Sequence, residues 1–402
     1  PERLKLMLES VKSAYKNRKD EIKERIIEAT KRIEKRKEIS KSRINGDIVK
    51  EVLLLIADNF DSFYGGFGIQ PKFPSPEVLD LLFFQYQKTK NEKYLEMALK
   101  TLGGMYEGIF DKIDSGFFRY SVTQDWRMPH YEKMLDTNAG LLRNYAVAFS
   151  ITKHEKYKKI AEEIIAYVNN FLSDQKNGGF YGSQDADEEF YRLKPEERKN
   201  KKYPYVDKTI YVDWNAMMIS SYIKAGAILN DKKTIEFAIK TVDFILEKCY
   251  DRPKGLSHFF DGKANINGIL SDNIYFLNCL IDVYSLKQDK KYLEKINQIA
   301  EFILKNFYDG ENYGFFDRIL KEGDLGALKQ RSKHFLENSF SAIVFLRLYF
   351  LAKDEKYKEI AEKTLLHFTD SYLDLGYFAS MYAVAVDMLL NKVTVNELEG
   401  KN

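Results

Sequence analysis

His154-Glu155-Lys156-Tyr157 opens one predicted helix, and Asn177-Gly178-Gly179-Phe180 follows the end of that helix. Two such motifs recur along the chain. The opening motif is a polar turn before a helix, and the closing motif is a glycine and a large apolar residue after the end of that helix. The repeat period of roughly 50–75 residues exceeds that of the common short helical repeats and indicates a series of helical hairpins. The other pairs are Asn91-Glu92-Lys93-Tyr94 with Asp114-Ser115-Gly116-Phe117, Asn230-Asp231-Lys232-Lys233 with Pro253-Lys254-Gly255-Leu256, Asp289-Lys290-Lys291-Tyr292 with Asn312-Tyr313-Gly314-Phe315, Asp354-Glu355-Lys356-Tyr357 with Asp374-Leu375-Gly376-Tyr377, and an unmatched closing at Tyr64-Gly65-Gly66-Phe67.

Two kinds of helix alternate along the chain between these motifs. One kind has apolar residues every three or four positions, which is typical of a helix with one face in water. The other kind is apolar nearly all round, which is typical of a buried helix. Six of each predict an all-α fold, an (α/α)6 barrel over residues 47–402, although a solenoid of helix pairs has the same local pattern. The outer helices are predicted near 48–60, 91–110, 155–172, 232–250, 289–308 and 355–371, and the inner helices near 76–89, 136–152, 213–229, 272–287, 338–352 and 380–391.

The connections between the predicted helices differ in length. Turns from an inner to an outer helix are short, whereas the loops that lead back are long, as at 111–135 and 173–212. All long loops should therefore lie at one end of the barrel, together with the N-termini of the inner helices. Free N–H groups and positive helix ends at this mouth suit an anionic or hydroxyl-rich ligand. We also expect helix 48–60 to pair with 380–391 and close the ring.

Composition narrows the classes of function. The net charge of +3 is spread along the 402 residues, which argues against nucleic-acid binding through a basic patch. No uninterrupted apolar run approaches the ~18–20 residues of a membrane span, and no signal-peptide pattern occurs. Cys249 and Cys279 form no CxxC motif and are expected to be buried and reduced, as in a cytoplasmic protein. No residue set has zinc-like spacing, so no metal and no cofactor are expected.

Residues 1–46 differ in amino-acid composition from the rest of the chain. They are highly charged and helix-favouring with a thin apolar stripe, as in 21–28, and they predict one or two linker helices. Because the chain begins with Pro1 rather than methionine, we expect an upstream segment to be missing and these helices to follow it.

Four residues in the mouth loops are candidates for acid/base chemistry. His130 and Glu132 lie two positions apart in one loop, where they can converge on one point, although a histidine there can equally anchor the loop. Asp185 and Asp187 form an Asp-x-Asp pair in the next loop, which suits acid/base work or a grip on sugar hydroxyls but also occurs in ordinary turns.

Other residues near the mouth are candidates for binding a polyol. Arg119 can donate hydrogen bonds, and the rings of Trp126 and Trp214 can stack on a sugar face. Asn215 and Asp272 fall in the first turns of inner helices, where they face the cavity or serve as caps. Two more histidines complete the set of mouth-side titratable groups, and either could flank a reacting carbon with His130: His258 and His334.

Several of these segments together resemble the spermatogenesis-associated protein 20-like, thioredoxin domain-containing family. The matching motifs are Gly65-Gly66-Phe67-Gly68 with Pro71-Lys72-Phe73-Pro74-Ser75-Pro76, Gly116-Phe117-Phe118-Arg119-Tyr120 through Pro129-His130-Tyr131-Glu132-Lys133-Met134-Leu135, Gly178-Gly179-Phe180-Tyr181 with Asp185-Ala186-Asp187, and Trp214-Asn215-Ala216-Met217-Met218. The resemblance implies an (α/α)6 barrel similar to six-hairpin glycosidases and N-acylglucosamine 2-epimerases, with a thioredoxin-like domain upstream. It implies no settled reaction.

The chain departs from the family pattern at polar positions. Phe118 stands where the family tends to have histidine, and Ser115 replaces a glycine. The family's Tyr-Asp-Asn reads Asp136-Thr137-Asn138, which moves a carboxylate by one position, or about 100° around a helix. A late Asp-Asp pair reads Asp272-Asn273.

Two functions remain open from the sequence. The first is a carbohydrate-binding or carbohydrate-modifying protein, acting on a sugar-like small molecule as a glycoside hydrolase or as a sugar epimerase or isomerase. The alternative is a non-catalytic scaffold that works with a thioredoxin-like domain, which predicts a mouth without a convergent acid/base pair. Isoprenoid chemistry is not expected, because the chain has no DDxxD run.

Overall fold

The computed structural model describes residues 44–392, so most of the predicted linker, residues 1–43, and the tail 393–402 lie outside the described part. Twelve long helices dominate that part. The outer set comprises α1 (Asp47–Asn59), α3 (Glu92–Ile109), α5 (Glu155–Phe171), α9 (Lys232–Lys248), α11 (Lys290–Asn306) and α13 (Glu355–His367). The inner set comprises α2 (Pro76–Thr89), α4 (Leu135–Thr152), α8 (Val212–Leu229), α10 (Leu270–Lys287), α12 (Phe335–Ala352) and α14 (Ser380–Asn391). Two short helices, α6 (Glu188–Tyr191) and α7 (Pro195–Arg198), lie in one mouth loop.

The inner helices form a closed ring. Each packs against the next, from α2 through α4, α8, α10 and α12 to α14, and α14 packs back against α2. The outer helix α1 packs against α14, as the sequence predicted. The structure is therefore an (α/α)6 barrel and not an open solenoid.

Local chemistry fixes the short turns at the end opposite the mouth. Each inner helix there ends at a residue in the left-handed conformation, such as Lys153 with φ 56°. One residue later a polar side chain caps the following outer helix, as Asp231 does by accepting hydrogen bonds from the N–H groups of Lys233 and Thr234. The left-handed residue and the capping residue are together enough to connect the two helices, which explains why these turns are short.

The mouth loops carry short β-strands that an all-α reading did not include. They form a pair β1 (Tyr120–Ser121) and β2 (Pro129–His130), and a three-stranded sheet β3 (Lys133–Met134), β4 (Ser183–Gln184) and β5 (Val206–Asp207). A further sheet contains β6 (Ile210–Tyr211), β7 (Tyr250–Asp251), β8 (Gly255–Phe260) and β9 (Ala264–Asn267). The hairpin of β8 and β9 is antiparallel and stands over the N-termini of α8 and α10.

At four of the closing motifs a buried asparagine of the next inner helix holds the motif in place. Its Oδ1 accepts a hydrogen bond, 2.6–3.0 Å long, from the backbone N–H that follows the closing glycine. Glycine is required at one such position because Gly116 has φ 79° and an added Cβ would lie 2.5 Å from the Tyr167 ring. The four asparagines occupy the fourth position of their helices: Asn138, Asn215, Asn273 and Asn338.

Within residues 44–392, two segments are long and apolar enough, by length and composition alone, to cross a membrane: Phe335–Ala352 and Tyr372–Asn391. About half of each is buried inside the barrel. They form or contain the inner helices α12 and α14, and this position accounts for their apolar composition. Cys249 and Cys279 are both buried and free, as predicted.

Candidate functional site

A cavity of about 1210 Å³ runs along the axis of the inner ring. Residues three or four apart on a helix share one face, so each inner helix lines the cavity with a single stripe. The lining extends from the mouth, at Ser75, to the short turns at the other end, at Lys153. Typical stripes are Asp136, Gly140 and Arg143 on α4, and Met217, Ser220 and Lys224 on α8.

Carboxylates gather in the first turns of the inner helices at the mouth. The positive helix ends favour their ionised form, but enclosure by the surrounding helices removes hydration and raises the pKa of each carboxyl. Mutual repulsion adds to the effect, since Asp213 raises the pKa of both Asp136 and Asp272. The five carboxylates are Glu77, Asp136, Asp213, Asp272 and Glu337.

Replacing Asp136 by asparagine should stabilise the protein, and more so at high pH. The pKa of this carboxyl is raised on folding, so its contribution to stability is fully present below the unfolded value near 3.8 and is lost as pH rises through the folded value. Asparagine keeps the acceptor for the Thr137 N–H without the charge. We expect a gain of about 0.5–2 kcal/mol in the free energy of unfolding at pH 8 and little change at pH 4, measured by denaturant titration.

The matched control for this prediction is Asp185→Asn. Asp185 is exposed and makes the same local hydrogen bond, from the N–H of the next residue to its Oδ1. Equal effects of the two substitutions at pH 8 would show that the enclosed position of Asp136 carries no cost.

His258 brings two of the mouth carboxylates into one cluster. Its Nδ1 lies 3.0 Å from Asp272 Oδ1, and ligand atoms of Asp213, His258 and Asp272 all lie within 4.8 Å of one another. The hydrogen bond with Asp272 raises the pKa of His258, and burial raises the pKa of Asp272 to about 7. The cluster can therefore exchange a proton near neutral pH.

Burial and hydrogen bonds to neighbouring residues fix the two carboxylates of the cluster in place. Asp272 is fully buried, whereas the His258 side chain is 30 % exposed. Asp213 accepts hydrogen bonds from the Trp214 N–H and from the Ser271 hydroxyl. On their helices, Asp213 and Asp272 lie one turn before Met217 and Tyr275, which line the cavity. The cluster therefore lies next to the mouth end of the cavity, behind its lining, which includes none of the three residues.

The same three residues could also hold a cation. One imidazole and two carboxylates are a common donor set for divalent metals, and the spacing of their ligand atoms permits a shared ion. However, the close His258–Asp272 hydrogen bond already satisfies one of the three groups. We therefore favour proton transfer as the chemistry of this cluster.

Only one of the residues predicted from the second mouth loop lines the cavity, namely Arg119. Its guanidinium pairs with Glu132 at 3.0 Å, and Glu132 is thereby engaged. The His130 ring stacks on Tyr120 at 4.9 Å, and its Nδ1 is buried without a partner among the described residues. His130 and Glu132 therefore lie beside the mouth and outside the cavity lining.

Asp185 and Asp187 are both exposed and are absent from the cavity lining. Asp187 caps the short helix α6 by accepting a hydrogen bond from the Phe190 N–H at 2.9 Å. This arrangement corresponds to the turn interpretation of the Asp-x-Asp pair.

Three candidates for sugar contact have structural partners. Trp126 is 1 % exposed, and its Nε1–H donates to the Gly65 carbonyl at 3.2 Å. The Asn215 amide is used by the Phe180 backbone. Trp214 is half-buried and its ring contacts Tyr211 at 4.8 Å.

Sequence reasoning placed Asp272 at the mouth but assigned no partner to His258. His258 lies on the β8–β9 hairpin and its partner Asp272 lies on α10, and the two elements come together only in the folded protein. The sequence did contain a sign of the mouth carboxylates. Acidic residues recur one or two positions before the buried asparagines of the inner helices, at Asp136, Asp213 and Asp272.

Comparison with known proteins confirms the resemblance to spermatogenesis-associated protein 20. The human protein of that name is 26% identical over 411 residues, which cover 73% of this chain and 52% of the relative. This chain spans about half the length of the curated relatives it matches. No family model matches the chain.

Solved structures confirm the (α/α)6 barrel. The cellobiose 2-epimerase from Spirochaeta thermophila superimposes with a TM-score of 0.67 at 16% identity, covering 86% of this chain and 97% of the other. The family 76 glycoside hydrolase (mannosidase) Bt3792 from Bacteroides thetaiotaomicron gives a TM-score of 0.62 at 15% identity, covering 86% and 99%. At these identities the likeness establishes the fold alone.

Proposed function

We propose that this barrel modifies a carbohydrate by acid/base chemistry at its mouth. The observation that carries the proposal is the convergence of Asp213, His258 and Asp272 next to the mouth of a large cavity. The likeness to sugar epimerases and a mannosidase is consistent with it. A non-catalytic scaffold for a thioredoxin-like partner would need no such convergence.

Within this class, proton transfer beside a carbonyl fits better than glycoside hydrolysis. Hydrolysis generally requires two carboxyl groups on opposite sides of the scissile bond, about 5–9.5 Å apart. Here an imidazole and two carboxylates form one cluster on neighbouring elements, with His258 hydrogen-bonded to Asp272. The bond from Nδ1 to Asp272 orients the imidazole and leaves Nε2 to take the proton from C2 of the sugar. Return of a proton to C1 gives isomerisation, and return to the opposite face of C2 gives epimerisation. The reaction would be an epimerisation or isomerisation of an open-chain sugar.

Arg119 and the enclosed mouth carboxyls would support the same step. An arginine that lines the cavity can stabilise the negative charge that develops on a sugar oxygen. Carboxyl groups at the mouth such as Asp136, whose pKa is raised by burial, can accept hydrogen bonds from sugar hydroxyls. The mouth would thus bind the polyol and hold the charge while His258 moves the proton.

The test is exchange of sugar protons with solvent. We expect the protein, incubated in D₂O with aldoses, ketoses and β-linked disaccharides, to exchange the C2 proton of at least one sugar, as followed by ¹H NMR. Because the proposed step needs no metal, EDTA should leave the rate unchanged. Release of reducing ends without exchange would indicate hydrolysis instead, and neither activity would favour the scaffold function.

A further inference from the structure

A second cavity lies beside the outer helix α9, at the end of the barrel that carries the long loops. Its volume of about 670 Å³ is in the range of small-ligand sites. The turn at 174–181, the turn between β5 and β6, the end of α9 and the tip of the β8–β9 hairpin surround it. Four aromatic rings and four carboxyl groups line it, against two lysines. The lining is therefore acidic in balance and rich in aromatic faces.

At three other places in the chain, a largely buried lysine neutralises an aspartate of the closing turn. In each, the lysine Nζ donates to the aspartate Oδ2 over 2.6–2.9 Å and to the carbonyl of the residue before the closing glycine. The aspartate lies five positions before that glycine. This turn is therefore an ammonium-binding structure that recurs in the barrel. The three pairs are Lys72–Asp61, Lys133–Asp111 and Lys333–Asp309.

The closing turn beside the second cavity has the same backbone but no lysine. The Asp174 N–H donates to the Gly179 carbonyl at 3.0 Å, as the corresponding N–H groups do in the other three turns. Ile210 lies two residues before the next inner helix, as do Lys133 and Lys333. The Ile210 Cδ1 lies 2.7 Å from the point that a Cβ on Gly179 would occupy. An apolar side chain therefore takes the place of the lysine stem.

The carboxylate of Asp174 lines the cavity. Its Oδ1 accepts from the N–H groups of Lys176 and Asn177, and its Oδ2 accepts from the Asn177 amide at 2.8 Å. Burial raises the pKa of Asp174, but these hydrogen bonds, together with Lys240, outweigh it and hold the pKa below its ordinary value. The Lys240 ammonium itself donates to the carbonyls of Gln175 and Lys176. Asp174 is therefore ionised at neutral pH, and its Oδ2 has capacity for a second donor.

Within the described part of the chain, neither lysine of the lining pairs with Asp174. Lys248 pairs with Glu247 at 2.6 Å. Lys208 Nζ lies 5.8 Å from the centre of the Tyr181 ring. The place that an ammonium takes in the other three turns is thus left to a group from outside the chain.

We propose that this cavity binds the protonated amine of a small organic ligand, with the ammonium against Asp174. The ligand supplies the charge that a lysine supplies in the other three turns. The rings of Tyr181 and Phe244 line the same space, and aromatic faces attract organic ammonium groups. The shared chemistry is a primary ammonium, carried by an amino sugar or by an aliphatic amine. This inference goes beyond the proposed function, because the cavity uses none of the mouth residues.

Calorimetric titration of the full chain at pH 7 tests the site. The probes are glucosamine and n-butylamine, with glucose and n-butanol as their neutral counterparts. We expect at least one amine to bind about tenfold more tightly than its counterpart. Asp174→Asn should remove this preference, because asparagine keeps an acceptor for the N–H groups of the turn but carries no charge. Ile210→Lys should also remove it, since the new ammonium occupies the place beside Asp174.

Asp354→Asn is the matched control. Asp354 is an exposed aspartate that caps α13 at the opposite end of the barrel, and this variant should bind the amine as the wild type does. A preference for glucosamine alone identifies an amino sugar as the ligand, and equal preferences identify the ammonium as the recognised group. Circular dichroism of each variant checks folding, and if Ile210→Lys does not fold, Asp174→Asn decides. Equal affinity for amines and neutral counterparts would overturn the inference, as would a preference that Asp174→Asn retains.

Discussion

His258→Asn should lower turnover of the exchanging sugar by about 10²–10⁴-fold, the usual contribution of one general acid or base. Asparagine can still donate a hydrogen bond to Asp272, but it cannot take up a proton. The loss should therefore appear in kcat, with KM changed far less. Rates of C2 exchange measured over a range of sugar concentrations separate the two constants.

The same substitution at another histidine provides the control. His154 lies at the opposite end of the barrel, where its Nδ1 caps α5 by accepting from the Lys156 N–H. Asparagine is a good cap, so His154→Asn should leave both stability and exchange unchanged. His130→Asn tests the assignment made from sequence, because a loss confined to this variant would move the base from the β8 hairpin to the second mouth loop.

The fold was predictable because it depends on local sequence motifs that repeat with each helical hairpin. Helix caps such as Asp231 and Asp354, and glycine turns such as Gly116, act within a few residues and recur with each hairpin. Even ring closure followed from the order of outer and inner helices. The short strands of the mouth loops escaped prediction because pairings such as Ser183 with Asp207 depend on contacts far apart in the chain.

The candidate site was less predictable because it is assembled from separate elements. His258 meets Asp272 only after a hairpin folds back over a helix end, and spacing in the sequence carries no sign of that contact. Conversely, Asn215 looked like a ligand contact because it lies in the first turn of an inner helix, at the mouth. Its amide in fact replaces backbone hydrogen bonds of the preceding loop, a role that can be recognised from four asparagines at one helix position.

Asp111→Asn should lower the free energy of unfolding by about 3–5 kcal/mol, the cost of removing one member of a buried charge cluster. The Asp111 carboxylate accepts from Lys133 Nζ at 2.8 Å and from Arg198 Nη1 through both oxygens. Lys133 has no exposed surface, and burial already lowers its pKa to about 8. Without the aspartate, Arg198 would keep its pair with Asp114, whereas Lys133 would lose the carboxylate with which the described structure pairs it. Urea denaturation at pH 7 measures the loss.

The pH dependence of this loss follows from the same contacts. Burial raises the pKa of Asp111, but Lys133 and Arg198 outweigh it and hold the pKa below its ordinary value. Such a group stabilises the fold above its unfolded pKa of about 3.9 and loses that contribution as pH falls. The difference between wild type and variant should therefore shrink below pH 4. Asp243→Asn, in the exposed pair with Lys291, should cost at most about 0.5 kcal/mol.

This cluster also connects stability to the mouth. Lys133 begins β3, which leads directly into the first turn of α4, where Asp136 lines the cavity. Lys133→Met added to Asp111→Asn removes an unpaired cation, so the double variant should be less destabilised than the sum of the single variants. Full additivity would mean that the two side chains stabilise the fold independently, and the buried pair would then have no part in placing this turn at the cavity.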